Sequence, residues 1–222
     1  MVIRMEPEVA EREFPFGYLE VKYPNREAWN VEAFYESVET EIEELKSKYA
    51  EYERKAFFGE NPYYRFFKKF KKTYPVLLQF ESVLMKDRPF PHENPIIEVP
   101  FIAEIITQIL MGTHDVDSVM GDVTLYLPTE KEPFIELRGE ETHTYQGDLA
   151  ARDGEGIIFS MIAGADQRTC GRVESKHVIY PVFGTPGQDP EELRQAAEVL
   201  KRFVKILAPT ATMEYITAGG SL

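Results

Sequence analysis

Within four residues, Asp166-Gln167-Arg168-Thr169 presents a carboxylate, a planar fork of guanidinium donors and a hydroxyl. Such a set suits recognition of a small zwitterion, or of ribose and phosphate oxygens. The same residues would equally close a tight turn through local hydrogen bonds. A second polar group, His114-Asp115-Val116-Asp117, follows an apolar run and precedes Gly121-Asp-Val-Thr124. A helix end, a polar loop and a strand start commonly build one wall of a ligand pocket, because loops carry function while rigid elements position them. An ordinary solvated turn is the competing reading.

Other chemistries are poorly supplied. His114, Asp115 and Asp117, with His143 nearby in sequence, lack the fixed spacing of a metal centre, and helix capping explains them as well, so no metal is expected. Cys170 lies between Arg168 and Arg172, cations that would lower a thiol pKa, yet a buried and inert cysteine is the commoner outcome. A single cysteine also excludes an internal disulfide. Ser160 sits in Phe-Ser-Met rather than in a Gly-x-Ser-x-Gly elbow. Neither Gly-x-x-x-x-Gly-Lys-Ser/Thr nor Gly-x-Gly-x-x-Gly occurs, and no cofactor is expected.

The elements that must hold these groups follow from periodicity. Phe16 to Tyr23 alternates as a strand, and Asn30 caps a helix whose Val31, Phe34, Tyr35, Val38, Ile42, Leu45, Tyr49 and Tyr52 share a face. The run Glu36, Glu39, Glu41, Glu43 and Glu44 covers its solvated side. A helix is predicted over about 62–72 and another over 76–86. Pro89, Pro91 and Pro95 hold the next entry extended, and Phe101 to Leu110 recur at helical spacing until Gly112 stops the helix. The second half reads as strands at 123–127, 134–137, 156–161 and 177–183, separated by Gly, Pro and Asp turns. Asp189, Pro190 and two glutamates then start a final amphipathic helix that carries Leu193 to Leu207. A helix-rich front and strand-rich back predict a single α+β domain over 1–222, with its core at about 14–207 and residues 208–222 as a tail.

Charge bounds the partners. A formal net charge of −13 on 222 residues repels phosphate at long range, so a broad electrostatic grip on nucleic acid is not the first expectation, and DNA is not expected as a partner. Arg65, Lys68, Lys69, Lys71 and Lys72 are the local exception. They are interleaved with Phe66, Phe67 and Phe70 in a stretch without an acid. They form either a solvated helix face or a small phosphate-contacting patch. There is no eighteen-residue apolar stretch and no secretion signal, which predicts a cytoplasmic protein without a membrane partner.

The order of these signals resembles the free-standing proteins of the B3/B4 domain family. The resemblance is carried by Tyr64, Tyr74-Pro75, Phe80-Glu-Ser-Val-Leu84, Pro89-Phe-Pro91, Asn94-Pro-Ile-Ile97, His114-Asp-Val-Asp117 and Gly121-Asp-Val-Thr-Leu125. It continues through Asp153-Gly-Glu-Gly156, Ala165-Asp-Gln-Arg-Thr169 and the strand at Val178 to Val182. The family's best-known member is the editing module of the phenylalanyl-tRNA synthetase β subunit, which removes tyrosine wrongly attached to the phenylalanine tRNA. The resemblance implies a layered α+β fold, with mixed or antiparallel sheets packed with helices, and a pocket sized for an aminoacyl group on a terminal adenosine. It further implies tRNA or the aminoacyl-tRNA acceptor end as partner. The enzymatic form of that reading is an aminoacyl-tRNA deacylase acting in trans, not a complete synthetase.

Discrimination by a missing hydroxyl needs a buried polar group, and ester hydrolysis needs a positioned water and oxyanion donors. On this reading Gly164 and Ala165 supply backbone N–H donors, and Asp166, Arg168 and Thr169 orient the substrate. Asn94 and His114 form the opposite wall, and Asp115 is counted among the substrate-binding residues. Two other classes remain open: a non-catalytic binder or sensor of a free amino acid or nucleoside, and a protein-interaction module working through the acidic surface.

Overall fold

The computed structural model describes residues 1–218. Its front half runs β1 (Ile3–Met5), α1 (Pro7–Glu11), β2 (Phe16–Lys22), α2 (Val31–Lys48), α3 (Arg54–Phe58), α4 (Pro62–Lys69), α5 (Pro75–Phe80) and α6 (Pro95–Thr107). The back half runs β3 (His114–Asp115), β4 (Val123–Tyr126), β5 (Pro133–Ile135), β6 (Glu141–His143), β7 (Ala150–Arg152), β8 (Ile157–Ser160), β9 (Gly164–Ala165), β10 (His177–Phe183), α7 (Pro190–Leu207) and β11 (Thr212–Thr217). The class is α+β. A five-stranded sheet is ordered β1-β4-β7-β8-β9, a four-stranded sheet β11-β2-β10-β3, and β5 and β6 form a separate hairpin. Within the two larger sheets only the β1–β4 pair is parallel.

The two large sheets meet through three phenylalanines. Phe159 of β8 packs 6.1 Å from Phe16 of β2 and 4.9 Å from Phe183 of β10, ring centre to ring centre. Such aromatic contacts exceed simple area burial in worth, since quadrupoles favour offset and edge arrangements. Helix α7 lies against β2 and β10 of the four-stranded sheet and touches α2 and α6. Its stripe from Leu193 to Leu207 is buried as its spacing predicts, and Asp189 caps it by accepting the Glu191 N–H at 2.9 Å.

Several boundaries depart from the sequence reading. Helix α4 ends at Lys69 rather than near 72, because Lys71 adopts a left-handed conformation with φ of 57°. Gly112 does not stop α6. The helix ends at Gln108, whose φ is 54° and whose side-chain amide donates to the carbonyls of Ile105 and Ile106, so a glutamine satisfies the orphan acceptors itself. Asn30 begins α2 without a side-chain capping bond, and the single helix expected to run past Tyr52 to a break at Asn61-Pro62 is divided: α2 ends at Lys48 and a short α3 follows. Beyond the predicted core, β1 pairs with β4, and residues 212–217 form an edge strand along β2 instead of a tail. The last four residues of the expected tail lie outside the described ones.

Candidate functional site

Strand β3 is only two residues long, yet it holds the loop after α6 against two distant segments of the chain. Ile179 of β10 pairs with His114 on one side, and Cys170 bridges to His114 on the other. The Asp115 N–H donates to the Thr169 carbonyl at 2.7 Å. The loop after α6 and the Asp166–Thr169 turn, about fifty residues apart in the chain, are therefore neighbours in space.

At their junction Asp166, Thr169 and His114 form a chain of hydrogen bonds. The Thr169 hydroxyl donates to Asp166 Oδ1, and His114 Nδ1 lies 2.8 Å from Thr169 Oγ1. Asp166 also accepts the backbone N–H groups of Arg168 and Thr169, each at 3.2 Å. Burial pushes the Asp166 carboxyl upward, while the Thr169 donors and Arg168 pull it back. With three donors converging on its oxygens, Asp166 is read as the carboxylate. Thr169 then gives its proton to Asp166 and must accept from His114 Nδ1–H, which leaves His114 Nε2 as a bare acceptor.

That Nε2 atom is buried and has no hydrogen-bond partner among the described residues. Burial, reinforced by the Arg168 charge, lowers the His114 pKa to about 4, so the ring is neutral at pH 7. His114 borders a cavity of about 160 Å³. Pro75, Met111, Phe159, Ser160 and Phe183 contribute to its walls, and Gly164 and Ala165 close it from β9. A cavity of about 150 Å³ is enough for one benzene ring. The space suits a single ring-sized side chain, with an acceptor on the wall for a hydroxyl.

The residues expected at the site divide into two groups. His114, Gly164 and Ala165 line the cavity, and Asp166 and Thr169 stand behind His114 as its orienting pair. Asn94, Asp115 and Arg168 are engaged elsewhere. Asn94 caps α6 by accepting the Ile96 N–H and donates to the Gly171 carbonyl at 3.4 Å, tying the helix to the turn. The Asp115 carboxylate accepts from Ser175 Oγ at 2.7 Å and from the Asp117 N–H. Arg168 spends its fork on Asp153, with two bonds of 2.9 Å, and on the Ser118 carbonyl. Of the basic residues of α4 and its end, Arg65 is paired with Glu60, whereas Lys68, Lys69, Lys71 and Lys72 make no ion pair among the described residues.

Sequence reasoning missed the pair formed by Asp148 and Ser160. Ser160 donates to Asp148 Oδ2 from the cavity wall, and Asp148 also accepts the Ile162 N–H at 3.2 Å. Burial raises the Asp148 pKa to about 7. Nothing in the local sequence marks this contact, because the partners lie on different sides of β7. Cys170 is half-buried with its pKa raised by burial despite Arg172, which does not make it a nucleophile at neutral pH. The described residues contain no group of three or more His, Cys, Asp or Glu side chains able to hold a metal. No described helix is long and apolar enough to cross a membrane.

No family model and no curated protein matches this chain in sequence. Among solved structures it is similar to an N-terminal fragment of the phenylalanyl-tRNA synthetase β subunit from Pyrococcus horikoshii, at 11% identity and a TM-score of 0.48. That match covers 98% of this chain and 54% of the fragment, so the chain spans about half the length of that structure.

Proposed function

We propose that the cavity beside His114 receives the amino-acid side chain of an aminoacyl-tRNA end or a related amino-acid conjugate, and that a hydroxyl on that side chain is recognised by His114 Nε2. One observation carries this reading: a fully buried acceptor without a partner among the described residues stands at the wall of a ring-sized cavity. A buried polar group left unpaired costs about 1–3 kcal/mol, which a hydroxylated ligand removes and an apolar analogue does not. The collinear motifs of the B3/B4 family support the aminoacyl-tRNA class of ligand.

The magnitude of the His114 shift favours recognition over proton abstraction. A base with a pKa of about 4 is a weak proton acceptor at pH 7, although it remains a competent hydrogen-bond acceptor. Deacylation in trans would therefore depend on a bound water and on backbone donors near Gly164 and Ala165, not on His114 as a general base. The same observation supports the second reading, a non-catalytic binder of a free hydroxylated amino acid or nucleoside.

The test is a thermal-shift and calorimetric comparison of L-tyrosinamide with L-phenylalaninamide, followed by deacylation assays on mischarged tRNAs. Tyrosinamide should bind at least tenfold more tightly, and His114→Phe should abolish the preference while the chain stays folded. Equal affinity of the two amides would remove the hydroxyl-recognition claim. Binding without faster ester hydrolysis would leave the binder and end the enzyme.

A further inference from the structure

Lys72, just beyond α4, acquires an aromatic partner from a distant part of the chain. Lys72 Nζ lies 5.4 Å over the ring of Tyr145, and the Phe70 ring centre is 6.0 Å from that of Tyr145. Tyr145 also stands 5.0 Å from the ring of His143, tilted by 36°. All three rings are half-buried, whereas Lys68, Lys69, Lys71 and Lys72 are exposed. No acid occurs between residues 62 and 75. In a chain with 38 acidic and 25 basic residues, four neighbouring lysines without an ion pair among the described residues form a local positive patch.

Two short chain connections put this cluster beside the mouth of the His114 cavity. Pro75, three residues beyond Lys72, is exposed and also lines the cavity, so it marks the rim. Three extended residues span at most about 10 Å. From the other side, the Asp148 N–H donates to the Tyr145 carbonyl, and the Asp148 side chain holds Ser160 and Ile162 of the cavity wall.

We infer that Phe70, Lys72, His143 and Tyr145 form a stacking platform for a single-stranded nucleotide end, with Lys68, Lys69 and Lys71 taking its phosphates. The exposed Lys72 side chain can swing from the ring to a phosphate and open the face of Tyr145 to a base. Aromatic rings beside unpaired cations fit this ligand better than an acidic peptide, which offers charge but no stacking surface. The inference goes beyond the reading of the cavity and does not need it.

The experiment measures fluorescence anisotropy of a labelled five-nucleotide oligoadenylate RNA with the full chain between 50 and 200 mM salt. Binding should weaken with salt at a log–log slope of about −2 to −3, as three or four phosphate contacts on a single strand predict. Tyr145→Ala should weaken it by about fivefold to hundredfold, Tyr145→Phe should retain it, and the exposed double change Lys71→Glu with Lys72→Glu should remove it. His114→Phe should leave it unchanged, which separates failure of the platform from failure of the cavity reading. No binding at 50 mM salt, indifference to Tyr145→Ala, or equal competition by a polyglutamate peptide would overturn the proposal.

Discussion

At the scale of single residues, the chemistry near the cavity depends on which charges are already satisfied. Arg168 offers the strongest cationic fork in the Asp166–Thr169 turn, but its geometry is set by Asp153. The Asp153 side chain is sealed from solvent and also accepts the N–H groups of Met120, Glu155 and Gly156. Burial alone would raise its pKa, yet Arg168 and these N–H groups outweigh burial and the net shift is downward. Arg168→Met should thus strand a buried carboxylate. The expected loss is on the order of 2 kcal/mol, less than for a fully buried pair because about a third of the Arg168 side chain faces water. Urea unfolding measures it, and an amino-acid ligand should still bind the folded variant. A stable variant that no longer binds would instead make Arg168 a ligand contact. The residue types Asp, Arg and Thr were legible in the sequence as a polar turn. Their division of labour was not, because it depends on Asp153 and His114, which arrive from other segments of the chain.

At the scale of elements, periodicity carried the long pieces and failed on the short ones. The stripe of α7, the seven residues of β2 and the continuous apolar run of β10 are long enough to be read. Strands β3 and β9 have two residues each, and no pattern of period two can be read from two residues. These short strands nonetheless hold His114, Gly164 and Ala165, so the proposed site lies where local signals are weakest. Residues 212–217 show the same limit, since an edge strand gains its order from β2 rather than from its own composition.

The approach of α6 to the turn rests on another local detail, Gly171. A Cβ at this position would collide with the Thr113 side-chain methyl and come within 3.1 Å of Ile96 Cγ2. Thr113 is β-branched and buried, so its methyl cannot withdraw as the end of a long side chain would. Gly171→Ala should cost about 1–3 kcal/mol and weaken the Asn94 bond to the Gly171 carbonyl. Hydrogen exchange at Ile96 and Thr169 would register the loosening, and unchanged exchange with full stability would show that the contact is slack.

At the scale of the whole molecule, the buried carboxyls make stability fall as pH rises. Glu104 of α6 is buried and its pKa is raised to about 8 by burial, against the pull of the Met111 N–H and Gln79. In its protonated form it can donate to Gln79 Oε1, which otherwise has no partner among the described residues. Asp148 is raised to about 7 by the same cause. In each case the native state keeps a proton that the unfolded chain releases near pH 4. Their contribution is complete in acid and is lost as pH rises through the folded pKa. His114 has the opposite sign: its lowered pKa makes the native state resist protonation, so stability falls as pH drops from 6.5 toward 4. Above pH 6.5 the histidine no longer contributes a slope and the carboxyls alone remain. Stability should therefore decline between pH 6.5 and 8 by up to about 1.4 kcal/mol per pH unit for each group still titrating. Glu104→Gln keeps an acceptor for the Met111 N–H and supplies a permanent donor to Gln79, but it has no proton to lose. In urea midpoints measured across this range, the variant should flatten the decline, most clearly between pH 7 and 8, where Asp148 has largely titrated and Glu104 still does. Parallel curves for the two proteins would mean that Glu104 is already ionised in the native state, and the burial of α6 would then have to accommodate a charge.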